Sequence, residues 1–180
     1  GVPVIAAVHG YCLGGAFWYS MACDITIAAE DAVFGQPEIR HISNTSFLLA
    51  ALTNWKQAHR WALTGDHMGV EEAYRLGIVN KVVPREKLEE EAWALAERIS
   101  KVPEASVRIN KAVTWMGLQS MGLSSAMYMN SVLSALAHCS HGTDRERLWE
   151  AQAQGGLKAF LEARDGPFWP EPYGPKSAKK

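Results

Sequence analysis

The chain is short of several things that would fix its class at once. It has three cysteines, an odd number without metal-type spacing, so neither a disulfide framework nor a zinc module organises it. Cys12 and Cys23 lie in apolar segments and read as buried thiols of a reducing compartment. The net charge is only −1 and no basic block is present, which argues against a nucleic-acid partner. Although 48% of residues are hydrophobic, no run has the length and purity of a membrane span, and no signal peptide is visible. A Gly-x-Ser-x-Gly elbow is missing, and Gly10-Tyr11-Cys12-Leu13-Gly14-Gly15 lacks the Gly-x-Gly-x-x-Gly spacing of dinucleotide folds. Internal repeats and long linkers are absent too, so 180 residues read as one or at most two domains.

What is there starts with the apolar run Val4 to Val8, long enough for a buried strand and closed by glycine. A Gly-rich turn follows, then a short, almost wholly apolar helix from Ala16 to Cys23. A helix that begins on Gly14-Gly15 points its first, unpaired N–H groups into whatever cavity faces it. Without side chains there, a ligand oxygen can approach the backbone. The helix end favours negative charge, as an oxyanion hole requires. Close strand–helix packing alone would also account for these glycines.

Further along, a second strand is expected near Asp24 to Ala29, and helices over Phe47 to Leu52, Lys56 to Leu63 and Val70 to Leu76. Ser43-Asn44-Thr45-Ser46 supplies cap chemistry for the first of these, and Gly65 and Gly77 close the other two. Ile78 to Val83 reads as a strand. From Arg85 onward the pattern is helical: an amphipathic stripe to Val102, a break at Pro103, a helix to about Met116, and another from Leu123 to Cys139. Thr143 with Glu146 fits a capping box, and Gly155-Gly156 separates that helix from Leu157 to Arg164. The Pro-rich end from Gly166 is expected to be a loose tail. Alternating strands and helices followed by helices alone indicate a layered α/β core with a helical C-terminal region.

Ile5 to Gly15, Cys23 to Ala29 and Phe34-Gly35-Gln36-Pro37-Glu38-Ile39 together closely resemble the core signature of the crotonase (enoyl-CoA hydratase/isomerase) superfamily. The resemblance resumes at Leu63-Thr64-Gly65-Asp66, at Glu71 to Pro84 and at Gly156 to Glu162, and so spans nearly the whole chain. It implies an α/β fold: a crotonase-like ββα spiral core with a helical C-terminal trimerisation region. Residues 1–102 would then be the later part of the spiral, 103–165 the helical region and 166–180 the tail. An N-terminal portion supplying a second oxyanion N–H and most coenzyme A contacts would precede Gly1. The resemblance further implies an acyl-CoA thioester as substrate and no cofactor beyond its coenzyme A. It also implies a homotrimer or hexamer, suited to the apolar residues of 105–137, and a cytoplasmic or mitochondrial-matrix location.

Family members hold a thioester enolate between two backbone N–H groups, and Gly15, next to Gly14, matches one donor. Hydratases add two glutamates, one three residues after that glycine and one in Gly-Gln-Pro-Glu, because activating and orienting water takes two groups. Glu38 matches the second; Trp18 stands at the first. Isomerases that move a double bond from position 3 to position 2 work with one carboxylate, so the count of acids favours isomerisation. Hydration or hydrolysis through another group, and a silent binding subunit, are the alternatives. Glu38 can also be a structural acid paired with Arg40, and Trp18 either a core aromatic or a contact for the acyl chain. The loop after Glu38 is shortened relative to hydratases, and His41 within it is a candidate second acid/base or a surface polar group. His9, where the family often has Asn, reads as a structural hydrogen-bonding residue, and His59, His67, His138 and His141 show no metal pattern. Phe160, with Arg164 in place of an expected basic neighbour, matches a position that packs on the adenine end of coenzyme A; the plain alternative is an amphipathic helix with Phe160 inward.

Overall fold

A computed structural model describes residues 1–42 and 46–174. Among them, short strands form two three-stranded sheets. One holds β1 (Ile5–Val8), β3 (Ile25–Ala29) and β6 (Lys81–Val83), all parallel, with Ile5 opposite Ile25 and Ala29 opposite Val83. The other holds β2 (Tyr11–Leu13), β4 (Val33–Gly35) and β5 (Met68–Gly69), where β4 runs parallel to β2 and β5 antiparallel to β4. The chain crosses from the first sheet to the second at Gly10, whose φ of 59° suits a residue without Cβ. It crosses again after Ala29, where the Val33 N–H reaches the Gly10 carbonyl at 2.8 Å. Each strand–strand–helix turn therefore stacks on the next, which is the spiral that the resemblance implied.

The helices are α1 (Gly15–Ala22), α2 (Phe47–Leu52), α3 (Trp55–Thr64), α4 (Val70–Arg75), α5 (Leu88–Ser100), α6 (Glu104–Ser120), α7 (Leu123–His138) and α8 (Thr143–Asp165). The core lies between the second sheet and α1 to α4, around Phe17, Met21, Phe34, Leu49, Trp61 and Met68. A smaller cluster, Ile27, Ala29, Val83 and Leu88, seats α5 on the first sheet. The Asp24 carboxylate accepts from the Val4 N–H and from Lys111, so α6 is tied to the edge of β1.

Several expected caps are present. Ser46 accepts from the Leu48 N–H at 3.2 Å, while Ser43 to Thr45 lie outside the described residues. Gly65 and Gly77 close α3 and α4 with positive φ, and α8 breaks at Gly156 with φ 67°. Other expectations need correction. The strand foreseen from Ile78 begins only at Lys81, because the Ile78 and Val79 N–H groups turn back to the Ala73 carbonyl. Asn80 then splices onto Thr26 through both its side chain and its backbone N–H. The capping box at Thr143 does not form: Gly142 occupies the cap, and the Glu146 N–H bonds its carbonyl. Nor is the chain loose from Gly166 to Gly174; the rest of the expected tail, 175–180, lies outside the described residues. Trp169 stacks on His67, the Gly69 N–H donates to the Tyr173 carbonyl at 2.8 Å, and Glu171 is buried.

Candidate active site

β2 ends at Leu13, and the Gly14 N–H closes the strand by donating to the Gly35 carbonyl at 2.9 Å. Gly14 then takes φ 56° and ψ −120°, a conformation reserved to glycine, and turns the chain into α1. The first bond within α1 runs from the Trp18 N–H to the Gly14 carbonyl, so Gly15, Ala16 and Phe17 hold the free donors of the helix end. Gly15 itself is exposed.

β4 leads from the opposite side into a tight 3-10 turn, Pro37–Arg40, with Pro37 at its first position, where the missing N–H costs nothing. This turn brings Glu38 onto Gly14. A methyl group on Gly14 would come within 2.1 Å of Glu38 Oε1, so the carboxylate rests directly against a bare Cα. Glu38 Oε2 is buried and without a hydrogen-bond partner. Arg40, the partner that a structural Glu38 would take, is bonded instead to Thr64, Asp66, Asp165 and Glu171. Among the described residues, Glu38 thus has no ion-pair partner in Arg40. Trp18 lies one helical turn beyond Gly15, half-buried against the core, with its indole N–H buried and unpartnered. Gln36, two residues before Glu38, is buried with both amide atoms unpartnered among the described residues.

The remaining candidates form a second group. The His41 ring meets Phe160 edge-on at 5.2 Å, and Phe160 also packs on Trp149. Burial, then the nearby Arg164 and Arg145 charges, outweigh the pull of Asp165 and press the His41 pKa down to about 4. The ring is neutral at physiological pH. Phe160 is 6% exposed and points inward, and Arg164 gives its guanidinium to Asp165 at 2.8 Å through both Nε and Nη2. An open groove of about 410 Å³ runs beside α1 between His9, Tyr11, Cys12 and Tyr19, and Glu38 does not line it.

The profile of the enoyl-CoA hydratase/isomerase family matches residues 1–171. The chain belongs to this family. It is 36% identical over 170 residues to the crotonyl-CoA hydratase of Syntrophomonas wolfei, covering 92% of this chain and 61% of that protein. It is also 36% identical to the probable mitochondrial enoyl-CoA hydratase of Dictyostelium discoideum, covering 93% of this chain and 57% of that protein. The crystal structure of an enoyl-CoA hydratase/isomerase from Xanthobacter autotrophicus Py2 superposes with a TM-score of 0.85 at 32% identity, over 92% of this chain and 62% of that one. The chain thus spans about three-fifths of the length of the relatives it matches.

Of the residues that the motifs of this family singled out, the structure brings Glu38 onto Gly14, with Gly15 and Trp18 following in α1. Motif reading did not reveal the ionic cluster around Arg40. Arg40, His67, Asp165 and Glu171 are separated by up to 131 residues, and no local spacing joins them. Among the described residues, no group of acids, histidines or cysteines has the arrangement of a metal site, and no helix is long and apolar enough to cross a membrane.

Proposed function

We propose that this chain forms the enolate-stabilising part of an acyl-CoA active site that shifts a carbon–carbon double bond. The observation that carries the reading is the Glu38 carboxylate resting on Gly14, with Trp18 where a second acid would stand. The Gly15 N–H, at the positive end of α1, is one donor to the thioester oxygen. Glu38 takes a proton from C2 of a 3-enoyl thioester, and the electron pair passes through C1 to the oxygen as an enolate. When the enolate collapses, Glu38 returns the proton at C4 and the double bond closes between C2 and C3. A carboxylate paired with no cation among the described residues suits this shuttle, because nothing there competes for its charge. Trp18 fills the place where a second acid would hold water, which favours migration over hydration.

A second reading is hydration, supported by the names of two relatives. His41 would then be the extra group, since its Nδ1 is buried and has no hydrogen-bond partner among the described residues. The exposed apolar side chains of α6 and α7, among them Val113, Met116, Val132 and Leu136, support assembly into trimers or hexamers. A cytoplasmic or mitochondrial-matrix location goes with this metabolism.

Matched 2-enoyl- and 3-enoyl-CoA substrates, offered to the protein that carries this chain, test the proposal. Migration without hydration, abolished in Glu38→Gln, is the expected result. Hydration that survives Glu38→Gln overturns it.

A further inference from the structure

Among the described residues, no hydrogen bond aims Glu38 Oε2. With that oxygen unpartnered, the direction of the carboxylate depends on the turn Pro37–Arg40 that carries it. That turn is fastened at its other end by Arg40, whose side chain is 1% exposed. Arg40 donates from Nε to the Thr64 carbonyl at 3.0 Å, from Nη1 to Asp165 at 3.0 Å, and from Nη2 to Glu171 at 2.7 Å and Asp66 at 3.3 Å. The Phe168 ring covers its guanidinium at 3.9 Å. Gly65 makes the room: a Cβ there would sit 3.1 Å from Arg40 Cγ.

Three of these contacts come from Asp165, Phe168 and Glu171, at the far end of the chain. Their segment is itself held, since Glu171 Oε2 accepts from the His67 backbone and from His67 Nδ1 at 2.9 Å, and Trp169 stacks on the same imidazole. Arg60 occupies the other oxygen of Asp66, and Arg164 braces Asp165. Arg40, Arg60 and Arg164 thus balance Asp66, Asp165 and Glu171. Buried ion pairs of this kind add little net stability compared with apolar packing, but they fix geometry.

We infer that the segment Asp165–Glu171 is a positioning strap, which grips Arg40 and thereby sets the turn that holds Glu38 against Gly14. The inference rests on the proposed role of Glu38. Arg40, Asp165 and Glu171 are then positioning residues that never touch substrate.

The test uses Glu171→Gln and Asp165→Asn in the protein that carries this chain, assayed well below each variant's measured melting midpoint. Rates are expressed per folded molecule, with foldedness read from circular dichroism. Asp165→Asn leaves Arg40 its other acceptors and keeps the test open if Glu171→Gln does not fold. Displacing a reacting group by an ångström costs about a hundredfold. The expected result is therefore a fall in kcat of roughly ten- to a hundredfold with KM within about twofold. A structural role alone would lower the midpoint and leave the rate per folded molecule unchanged, which overturns the inference while the role of Glu38 stands. Full activity in Glu38→Gln overturns both.

Discussion

Replacing Gly14 with alanine separates the stability of this fold from its chemistry. The new Cβ would meet Glu38 Oε1 at 2.1 Å and Cδ at 2.8 Å, whereas contacts below 3.0 Å are essentially never made. The carboxylate must withdraw by about 1 Å, which it can do because it is the end of a side chain whose Oε2 has no hydrogen-bond partner among the described residues. The clash is therefore relieved cheaply. What remains is the backbone, since φ 56° with ψ −120° is a conformation that alanine adopts at a cost of roughly 1–3 kcal/mol. For a chain of this size that lowers the melting midpoint by roughly 3–10 °C. The activity loss is much larger, about a hundredfold in kcat, because the acid no longer stands where the proton is transferred. Thermal unfolding by circular dichroism and turnover of a 3-enoyl-CoA by coupled spectrophotometry measure the two effects. Gly15→Ala is the stability control, as nothing lies within 4 Å of its Cβ and its φ is already helical. If Gly14→Ala folds and keeps kcat within about threefold of the parent, the close approach of Glu38 has no catalytic meaning and the reasoning fails.

Trp18→Glu supplies the acid that hydration would need, one turn from Gly15, and is expected to raise the ratio of hydration to migration by about tenfold or more; product analysis by chromatography checks it, and an unchanged ratio counts against the role given to Trp18. His41 is held down to about 4 by burial and by Arg164 and Arg145, against the opposing Asp165 and with His138 adding a smaller push. A histidine with a depressed folded-state value favours the native state fully above its ordinary value, near 6.5, and that contribution is lost as pH falls toward 4. The melting midpoint of His41→Gln is therefore expected to depend less on pH between 6.5 and 4 than that of the parent, and parallel curves would refute the assignment. Phe34→Ala removes a ring that is 0% exposed and sits 5.7 Å from Phe17, so chemical denaturation should show a loss of about 3–5 kcal/mol; a loss below 1 kcal/mol would mean that the site collapses around the gap.

What the sequence made legible follows the range of the interaction that fixes each feature. The turn from β2 into α1 is written locally, in glycines whose backbone angles other residues resist, and the approach of Glu38 follows from the motif that β4 and Pro37 carry. Capping serines and closing glycines are local too, which is why α2 to α4 end where the residues say. Ile78 and Val79 look like strand residues but are drawn off by the Ala73 carbonyl, an acceptor that periodicity does not reveal. The same limit applies with more force to the C-terminal segment, whose prolines and lysines read as solvated chain. Burying Glu171 without partners would cost several kcal/mol, so nothing in its neighbours foretells that it goes inside. Burial drives its pKa up, yet hydrogen bonds from His67 and Arg40 outweigh this and hold it below the ordinary carboxylate value. Its ionised form therefore belongs to the folded state, and the hold on Arg40 weakens only as pH falls through that lowered value. The partners that make this possible lie 104 and 131 residues upstream. Conformation at Gly14 is a property of one residue, whereas the placement of Glu171 is a property of the closed network, and only the completed fold contains it.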